Sequence, residues 1–281
     1  MTRLPIDWDA YLDEFHARNP GITEEVLARC TAGQATPYDW LLDGTDPSAR
    51  NVDLGCGSGP TQPAGGPGWV GLDRSAGELR RAQETGRRAV ILGDATRLPI
   101  ADGTVDVAIC SMALMLVRPL GDALGEIHRI LRGNGQLRLL LPTPGPLTAA
   151  DRLRYLRLFW AARSPTKFPS TPLRRRAAET LETFSLRVVS DESRRFDYPV
   201  DDPSDADRFV NSWYLPGTST ARRDDARMRA RSMAPVTMGI SFRRLIARPI
   251  TEGDEPPKPR GVGRWHSPGE RRRRRRSHAG T

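Results

Sequence analysis

The sequence predicts an α/β fold in which a doubly wound parallel sheet carries helices on both faces. Between residues 51 and 141, short apolar runs alternate with stretches whose apolar residues recur every three or four positions. This alternation is typical of parallel strands connected by right-handed helical crossovers. In addition, three of the apolar runs lead into an acidic residue, namely Asp53, Asp73 and Asp94. These carboxylates should therefore lie at strand ends, where such sheets bind ligands.

Length and composition predict one main domain. The chain has 281 residues, of which 38% are hydrophobic, and this is enough to bury one substantial core. Its three cysteines, Cys30, Cys56 and Cys110, fit neither a disulfide framework nor the spacing of a metal site. We therefore expect a reducing cytoplasm and no bound metal. Because no apolar stretch is long enough to cross a bilayer, we also expect a soluble, unexported protein without a membrane partner.

Much of the positive charge is concentrated near the C-terminal end. The formal net charge is +9, and residues 252–281 contain nine basic and four acidic residues, which gives +5 for this segment. The segment lacks apolar periodicity and contains six consecutive arginines at 271–276, so we predict a disordered tail. Weak, salt-sensitive attraction to nucleic acid or another anionic surface is one interpretation. We favour the other, a solvated tail without a specific partner.

The first 45 residues predict a helical cap. Apolar residues recur at helical spacing in two groups, Trp8, Tyr11, Leu12 and Phe15, and then Ile22, Val26, Leu27 and Cys30. Gly21 separates the two predicted helices, and Thr23 is a candidate N-cap for the second. Tyr38 follows these helices and is a candidate ligand contact from the side of the cap.

A glycine-rich turn follows the first predicted strand, residues 51–54. The turn, Gly55 to Gly59, has the form G-x-G-x-G, and glycine is needed where a backbone approaches a ligand or adopts positive φ. A dinucleotide-binding fold is the nearest alternative, but its fingerprint is G-x-G-x-x-G followed by a helix that faces a pyrophosphate. Here the third glycine comes one position early, and residues 60–68 are too rich in proline and glycine for that helix. The dinucleotide interpretation is therefore disfavoured.

Two further strands each lead to a carboxylate. Residues 69–72 form the second predicted strand, and Asp73 follows it at the spacing of an acid that binds ribose hydroxyls. Ser75 and Glu78 predict a capping box at the start of a helix that runs through Thr85. The third predicted strand, residues 89–92, leads to Asp94.

The rest of the pattern completes the sheet and adds helices around it. Strands are predicted at residues 104–110, 136–141, 186–189 and 240–247. Helices are predicted at residues 120–131, 148–162, 202–213 and 220–232. Gly133 is expected to end the first of these, and Leu153, Leu156 and Phe159 form an apolar stripe on the second. A further helix is expected to begin at Thr171 as N-cap and Pro172 as first residue, and to bury Leu173, Ala177, Leu181 and Phe184.

The glycine turn, Asp73, Asp94 and segments 98–108 and 126–135 together resemble the motifs of class I S-adenosylmethionine-dependent methyltransferases. The resemblance is to the type 11 group, which includes quinone-biosynthesis methyltransferases. It implies a Rossmann-like sheet of seven strands in the order 3-2-1-4-5-7-6, with the last strand antiparallel, and an N-terminal helical cap. The expected division has three parts: the cap at residues 1–45, the methyltransferase domain at 46–250 and the tail at 252–281. Within the domain, the cofactor-binding core is expected at 50–143, and acceptor-side insertions are expected at about 146–183 and 201–235.

The cofactor implied by the resemblance is S-adenosyl-L-methionine. Asp73 would hold its ribose hydroxyls, Arg74 would lie against the adenine ring, and Asp94 would accept a hydrogen bond from the adenine amine. The backbone of Ala95 would donate to a ring nitrogen. The residues expected at the methionine part and around the transferable methyl group are Asp53, Gly55, Cys56, Gly57, Ser111 and Met112.

The catalytic group and the acceptor leave fewer signals in the sequence. Methyl transfer from a sulfonium needs in-line alignment and removal of water, and it needs a base only when the acceptor must lose a proton. His16, beside the apolar face of the first helix, is the best candidate base, although a structural histidine would look the same. His128 is interpreted as structural. The apolar segment 110–115 lacks the motifs of base-methylating enzymes and favours a small, fairly apolar acceptor.

We therefore predict an enzyme that methylates a small molecule. One alternative is a binding or regulatory protein that keeps the fold without turnover, since Asp73 and Asp94 indicate cofactor binding rather than chemistry. Another is an RNA methyltransferase aided by the arginine-rich tail, whose affinity would depend on residues 252–281 and on salt.

Overall fold

A computed structural model describes residues 6–46, 48–62, 68–170, 173 and 175–251 of the chain. Residues 6–250 belong to one compact unit. The strands of this unit are β1 (Asn51–Leu54), β2 (Trp69–Asp73), β3 (Val90–Leu92), β4 (Val105–Ser111), β5 (Leu131–Pro142), β6 (Leu186–Val200) and β7 (Val236–Pro249). Its helices include α1 (Trp8–Arg18), α2 (Ile22–Leu27), α3 (Pro37–Leu42), α4 (Ala76–Glu84), α5 (Leu120–Ile130), α6 (Ala149–Ala162), α7 (Ala177–Thr183), α8 (Pro203–Asn211) and α9 (Thr220–Arg231).

The seven strands form one sheet in the order β3-β2-β1-β4-β5-β7-β6. Strands β1 to β5 pair in parallel, whereas β7 runs antiparallel to both β5 and β6. The predicted fold class and strand order are confirmed. Since Asp53 pairs with Gly71, and Asp73 with Leu92, the carboxyl ends of β1, β2 and β3 meet at one edge of the sheet.

Alternation along the buried strands divides the core between the two faces of the sheet. In β4, Ala108 and Cys110 belong to a cluster that includes the apolar sides of α5 and α7. Val107 and Ile109, which point the opposite way, belong to a second cluster with side chains from α3, α6, α8 and α9. A strand that is buried on both faces is the reason for its nearly continuous apolar sequence.

Two predictions about helix ends were wrong. Thr23 is not the cap of α2, because Gly21 is the N-cap, with φ of 80° and no side-chain hydrogen bond. Helix α5 ends at Ile130, before Gly133, because Leu131 already pairs with Val105 and thereby lengthens β5.

The apolar stripe predicted for α6 was also misplaced. Leu153 and Leu156 are 48% and 65% exposed, while Leu158 and Ala162 face the core. The inner face of α6 also carries fully buried Asp151, which accepts hydrogen bonds from Arg195 and from the backbone of Gly239. A satisfied buried carboxylate rotates the helix away from the orientation that apolar periodicity alone predicts.

The other predicted elements match the structure more closely. Ser75 is the N-cap of α4, as predicted. Side-chain oxygens also cap the helices that follow Asp7, Thr36, Thr148 and Asp202, which had not been predicted as caps. Strand β6 is longer than predicted because most of its length pairs with β7. The helix start predicted at Thr171 and Pro172, and the predicted tail at 252–281, lie outside the described residues.

The described residues contain no helix with the length and apolar character needed to span a bilayer. They also contain no group of three or more His, Cys, Asp or Glu side chains arranged for a metal ion. Cys30, Cys56 and Cys110 are free and buried, and burial raises the thiol pKa of Cys30 to about 12.

Candidate functional site

A cavity of about 470 Å³ opens at the carboxyl ends of β1 to β4. We call it the cofactor cavity. Its volume lies in the range of small-molecule sites. It is lined by all twelve residues that the sequence singled out: His16, Tyr38, Asp53, Gly55, Cys56, Gly57, Asp73, Arg74, Asp94, Ala95, Ser111 and Met112. The structure thus brings these residues together, whereas the role of each remains a prediction.

The glycine turn needs residues without a side chain at two kinds of position. Gly55, Gly57 and Gly59 have φ values of 68°, 54° and 79°, in the left-handed region that disfavours other residues. A Cβ atom on Gly55 would also lie 2.4 Å from the Cβ atom of Ala113. Close packing between the turn and the segment after β4 therefore requires glycine at position 55.

Asp73 connects the turn to the next helix. Its Oδ2 atom accepts a hydrogen bond of 2.8 Å from the backbone N–H of Gly57, and its Oδ1 atom accepts one of 2.7 Å from Ser75. Burial raises the pKa of Asp73, and these two hydrogen bonds act in the opposite direction. A carboxylate oxygen has more than one acceptor position, so both oxygens retain capacity for a ligand hydroxyl.

Asp53 is almost fully buried at the end of β1. Its Oδ2 atom accepts a hydrogen bond from the Thr61 hydroxyl, and the Thr61 oxygen accepts one of 3.2 Å from Trp69 Nε1. Its Oδ1 atom has no hydrogen-bond partner among the described residues. Burial raises the pKa of Asp53 to about 7. Asp53 therefore organises the loop through Thr61, which the sequence did not single out, and keeps one unpaired acceptor.

Asp94 and Ala95 form a turn after β3. Asp94 Oδ1 accepts hydrogen bonds of 2.8 Å from the backbone N–H and from the hydroxyl of Thr96. The Asp94 side chain is exposed, whereas Ala95 is buried. This turn holds the carboxylate at the wall of the cavity.

Arg74 lies at the wall of the cavity but binds the cap. Its guanidinium donates to Asp9 at 2.9 Å and to Asp13 at 3.1 Å, and both carboxylates belong to α1. The adenine contact expected of Arg74 remains a prediction. In this structure its visible role is to connect the end of β2 to the cap.

Ser111, Met112 and Tyr38 line the part of the cavity near β4 and α3. The Ser111 hydroxyl is buried and has no hydrogen-bond partner among the described residues. Met112 has φ of 59°, and its N–H donates to the Leu140 carbonyl at 2.9 Å. Burial raises the pKa of Tyr38 well above its usual value, so its hydroxyl stays neutral.

His16 takes part in a group of side chains that the sequence did not reveal. Its Nδ1 atom lies 3.0 Å from Glu78 Oε1, and its Nε2 atom lies 3.4 Å from the Tyr214 hydroxyl. The capping box predicted at Ser75 is therefore only half formed. Ser75 does accept from the Glu78 N–H, but the Glu78 carboxylate binds His16 and the backbone N–H of Gly21 instead.

A second unpredicted group holds α2 against the glycine turn. Glu24 accepts hydrogen bonds from the Ser58 hydroxyl and, at 2.8 Å, from Arg87. Arg87 also donates to the Ser58 carbonyl at 2.7 Å. We call this group the Glu24 clamp. Residues 58–62, the described part of the segment after the turn, contain no helix, and the clamp supports this side of the cavity.

The chemistry of the lining fits S-adenosylmethionine. Six acidic residues line the cavity against three arginines: Asp13, Glu24, Asp53, Asp73, Glu78 and Asp94 against Arg74, Arg80 and Arg118. An excess of carboxylates favours a ligand with a sulfonium and an ammonium group and disfavours a pyrophosphate. Asp53 Oδ1 and Ser111 Oγ, both buried and unpaired, are acceptors that a polar ligand, directly or through water, could satisfy.

A second cavity of about 490 Å³ lies beside the first, and Thr23, Met112 and Tyr214 line both. We call it the aromatic cavity. Six further aromatic side chains form much of its wall: Tyr155, Phe159, Phe168, Phe209, Trp213 and Phe242. Tyr155 stacks on Trp213 with ring centroids 6.0 Å apart. The segments that contribute these residues lie mainly after β5.

Comparison with known proteins agrees with this geometry. Residues 52–139 match the family model of the methyltransferase domain. The malonyl-[acyl-carrier protein] O-methyltransferase of Methylococcus capsulatus is 35% identical over 130 residues, which cover 41% of this chain and 43% of that protein. The demethylmenaquinone methyltransferase of Beutenbergia cavernae is 37% identical over 100 residues, 34% of this chain and 41% of that protein. The chain thus spans less than half the length of these relatives.

Solved structures share the fold at low sequence identity. The [4+2]-cyclase SpnF superposes with a TM-score of 0.54 at 18% identity, covering 88% of this chain and 98% of that one. The YcgJ protein of Bacillus subtilis superposes with a TM-score of 0.50 at 17% identity, covering 75% and 97%. The matched domain, the relatives and the strand order lead to one assignment. Residues 52–139 carry a methyltransferase domain within a Rossmann-like sheet of seven strands.

Proposed function

We propose that the protein transfers a methyl group from S-adenosyl-L-methionine to a small, fairly apolar acceptor. The observation that carries this proposal is the acid-rich cavity at the strand ends, where an unpaired oxygen of Asp53 accompanies Asp73 and Asp94. Carboxylates at these positions can accept from hydroxyl, amine and ammonium groups, and they favour a cationic cofactor.

The proposed contacts follow the order of the strands. Asp73 holds the ribose hydroxyls, while Asp94 and the backbone of Ala95 bind the adenine edge. Asp53 stabilises the ammonium group or the loop around it. The backbone of Gly55, Cys56 and Gly57 lies along the methionine part, and Ser111, Met112 and Tyr38 border the methyl group and its approach.

The aromatic cavity supports the choice of acceptor. It adjoins the cofactor cavity at Met112, where the methyl group is expected. Arg152 is the one charged side chain among its described lining residues. Apolar surroundings exclude water, and in-line methyl transfer from a sulfonium requires this exclusion. The two relatives differ in activity, O-methylation in one and methylation of demethylmenaquinone in the other, so they do not select an acceptor.

The proposed domain organisation follows from these assignments. Residues 1–45 form a cap on the methyltransferase domain at 46–250, since α1 binds Arg74 and Glu78 through side chains. The insertions at about 146–183 and 201–235 supply most of the aromatic cavity. We also propose a cytoplasmic location, in keeping with three free cysteines.

Calorimetric titration with S-adenosylmethionine and S-adenosylhomocysteine tests the proposal, with NADH as a negative control. We expect micromolar binding of the first two ligands and about a 100-fold loss of affinity in Asp73→Ala, since two hydroxyl contacts and the turn are lost. Asp94→Ala should cost about tenfold. Asp225→Ala, which removes an exposed carboxylate on α9, is the matched control and should bind as the wild type does.

The same titration, together with a deletion variant, distinguishes the alternatives. A folded protein that binds neither S-adenosylmethionine nor its product would contradict the enzyme proposal and favour the regulatory interpretation. For an RNA methyltransferase, deletion of residues 252–281 should sharply reduce RNA affinity and its salt dependence. Under the small-molecule proposal, the deletion leaves methyl transfer unchanged.

A further inference from the structure

We propose that Glu78, His16 and Tyr214 form a proton relay that deprotonates an acidic hydroxyl, a phenol or an enol, on a flat apolar acceptor. The acceptor would occupy the aromatic cavity with its hydroxyl at Tyr214. This inference rests on the proposed function, because it assigns a chemical class to the acceptor of that same reaction.

The first part of the relay is a histidine held by a buried carboxylate. Glu78 is 4% exposed. One of its oxygens lies 3.0 Å from His16 Nδ1, and the other accepts from the Gly21 N–H at 2.9 Å. An ionised carboxylate has no proton to donate, so Nδ1 must carry the shared hydrogen. The neutral ring then presents the lone pair of Nε2, which is the form required of a base.

The second part is a tyrosine between the two cavities. Tyr214 is 6% exposed and lines both of them, whereas His16 lines only the cofactor cavity. Phe15 and Phe168 fix the Tyr214 ring, with centroids 4.6 and 5.9 Å away. Its hydroxyl lies 3.4 Å from His16 Nε2. We therefore place Tyr214 in the path of a proton from the aromatic cavity to His16.

Tyr214 cannot hold the negative charge itself. Burial raises the pKa of Tyr214, and the nearby charge of Glu78 raises it further. The phenol thus stays neutral, and it can accept a proton only while giving its own proton to His16. This requirement makes His16 the final proton acceptor and Tyr214 the group in contact with the substrate.

The lining of the aromatic cavity selects the acceptor. Its volume of about 490 Å³ suits one drug-sized molecule. Rings such as Tyr155, Phe159 and Trp213 pack well against a flat unsaturated body. No carboxylate occurs among its described lining residues, so a cationic amine would lack a counter-charge there. A flat, neutral molecule packs against these rings and needs no counter-charge in the cavity, because its hydroxyl becomes an anion only beside Tyr214.

Proton transfer and methyl transfer proceed together. The acceptor O–H proton passes to the Tyr214 oxygen as the Tyr214 proton passes to His16 Nε2. The freed electron pair of the acceptor oxygen forms the new O–CH₃ bond, and the pair of the broken S–CH₃ bond stays on sulfur. The positive charge lost from the sulfonium thus ends on the imidazolium of His16.

Carboxylates of two elements face His16. Glu78 of α4 lies 3.0 Å from its Nδ1 atom, and Asp73 at the end of β2 interacts with the ring electrostatically. Asp13 on α1 lines the same cavity, where it is paired with Arg74. Arg74 and Arg80, which also line it, act in the opposite direction, but Arg74 is paired with Asp9 and Asp13.

The test uses 2-naphthol, whose anion absorbs at longer wavelength than the neutral form. The full-length protein is titrated with it at several pH values, with and without S-adenosylhomocysteine. We expect the ionised fraction of bound 2-naphthol to exceed that of free 2-naphthol by about tenfold or more below its solution pKa. His16→Gln and Tyr214→Phe should abolish the increase. Glu78→Gln, which alters a positioning residue, should reduce it.

Controls separate the relay from folding and from the cofactor site. His128→Gln, on α5 and outside both cavities, should behave as the wild type does. Calorimetry with S-adenosylhomocysteine on each variant reports the cofactor cavity independently, so failure of the proposed function is seen there. Thermal unfolding identifies any variant that fails to fold, in which case His16→Asn replaces His16→Gln.

Three results would overturn the relay. The first is a folded wild-type protein that binds S-adenosylhomocysteine but not 2-naphthol. The second is bound 2-naphthol whose ionisation is the same in wild type and His16→Gln. The third is stronger binding of 1-naphthylmethylamine, a cation at neutral pH, than of 2-naphthol.

Discussion

The two neighbouring cavities are built in opposite ways. The cofactor cavity takes most of its lining from residues 53–118, where strand ends and turns follow one another along the chain. The aromatic cavity draws on α2, α6, the end of β5, the segment after α8 and β7. One is polar and rich in carboxylates, and the other is almost free of charge. A site made of consecutive strand ends can therefore be predicted from sequence, whereas a site made of distant helices cannot.

The largest effect is expected from Gly55→Ala, which should damage the cofactor cavity alone. An alanine at φ of 68° is strained, and its Cβ atom would lie 2.4 Å from that of Ala113. We expect a loss of about 3 kcal/mol of stability and of measurable S-adenosylhomocysteine binding. Denaturant unfolding and calorimetry measure both quantities.

Gly125→Ala is the matched control for this substitution. Gly125 lies in α5, and a Cβ atom there would meet nothing within 4 Å. Alanine at this position should raise stability by about 0.5–1 kcal/mol. Equal effects of the two alanines would mean that close packing at Gly55 is not required.

A smaller effect concerns the pH dependence of stability through Asp53. Its pKa in the folded protein is about 7, above the ordinary value of 3.8, so the folded state binds the extra proton between these values. Stability of the empty protein should therefore fall as pH rises from about 4 to 7, by about 1 kcal/mol per pH unit at the steepest point. Thermal unfolding at pH 5 and pH 8 measures this difference.

Asp53→Asn tests whether Asp53 is the group that titrates over this pH range. The amide oxygen can still accept from Thr61, but the group no longer titrates, so the decline in stability over this pH range should become shallower. S-adenosylmethionine should reduce the decline in the wild type as well, because its ammonium favours the ionised carboxylate. A wild-type stability that rises from pH 5 to pH 7 would contradict the raised pKa.

The smallest effect is expected from Phe159→Ala, which should damage the aromatic cavity alone. Phe159 is partly buried, and its ring centroid lies 5.2 Å from that of Trp213. We expect about tenfold weaker binding of 2-naphthol, because one aromatic wall is lost. Affinity for S-adenosylhomocysteine should change less than twofold. If both affinities fall equally, the two cavities are not separate sites.

The sheet and the cofactor cavity could be predicted because local rules determine them. Asp53, Asp73 and Asp94 end buried strands, and the turn at Gly55 demands a residue without a side chain. Strand-end position, period-2 burial and glycine conformations are all visible within short windows of sequence. The resemblance to a known family supplied the strand order, which is confirmed, and the expectation of S-adenosylmethionine as the cofactor.

The remaining features depend on long-range pairing, which short windows do not contain. Glu78 satisfied the pattern of a capping box with Ser75, yet its carboxylate binds His16, 62 positions earlier. Leu156 satisfied an apolar stripe, but buried Asp151 controls how α6 is oriented. Thr61 and Tyr214 carried no local signal. Thr61 pairs with Asp53 only eight positions away, but Glu78, Asp151 and Tyr214 have distant partners. In those cases the need to satisfy buried polar groups overrode the local pattern.

The Glu24 clamp holds a helix that contributes to both cavities. Helix α2 carries Glu24 at the wall of the cofactor cavity, and the neighbouring Val26 and Leu27 at the wall of the aromatic cavity. A tilt of α2 that breaks the contacts of Glu24 with Ser58 and Arg87 would open both cavities at once. Helix α2 is therefore a wall common to both cavities, and loss of the Glu24 contacts would alter the two sites together.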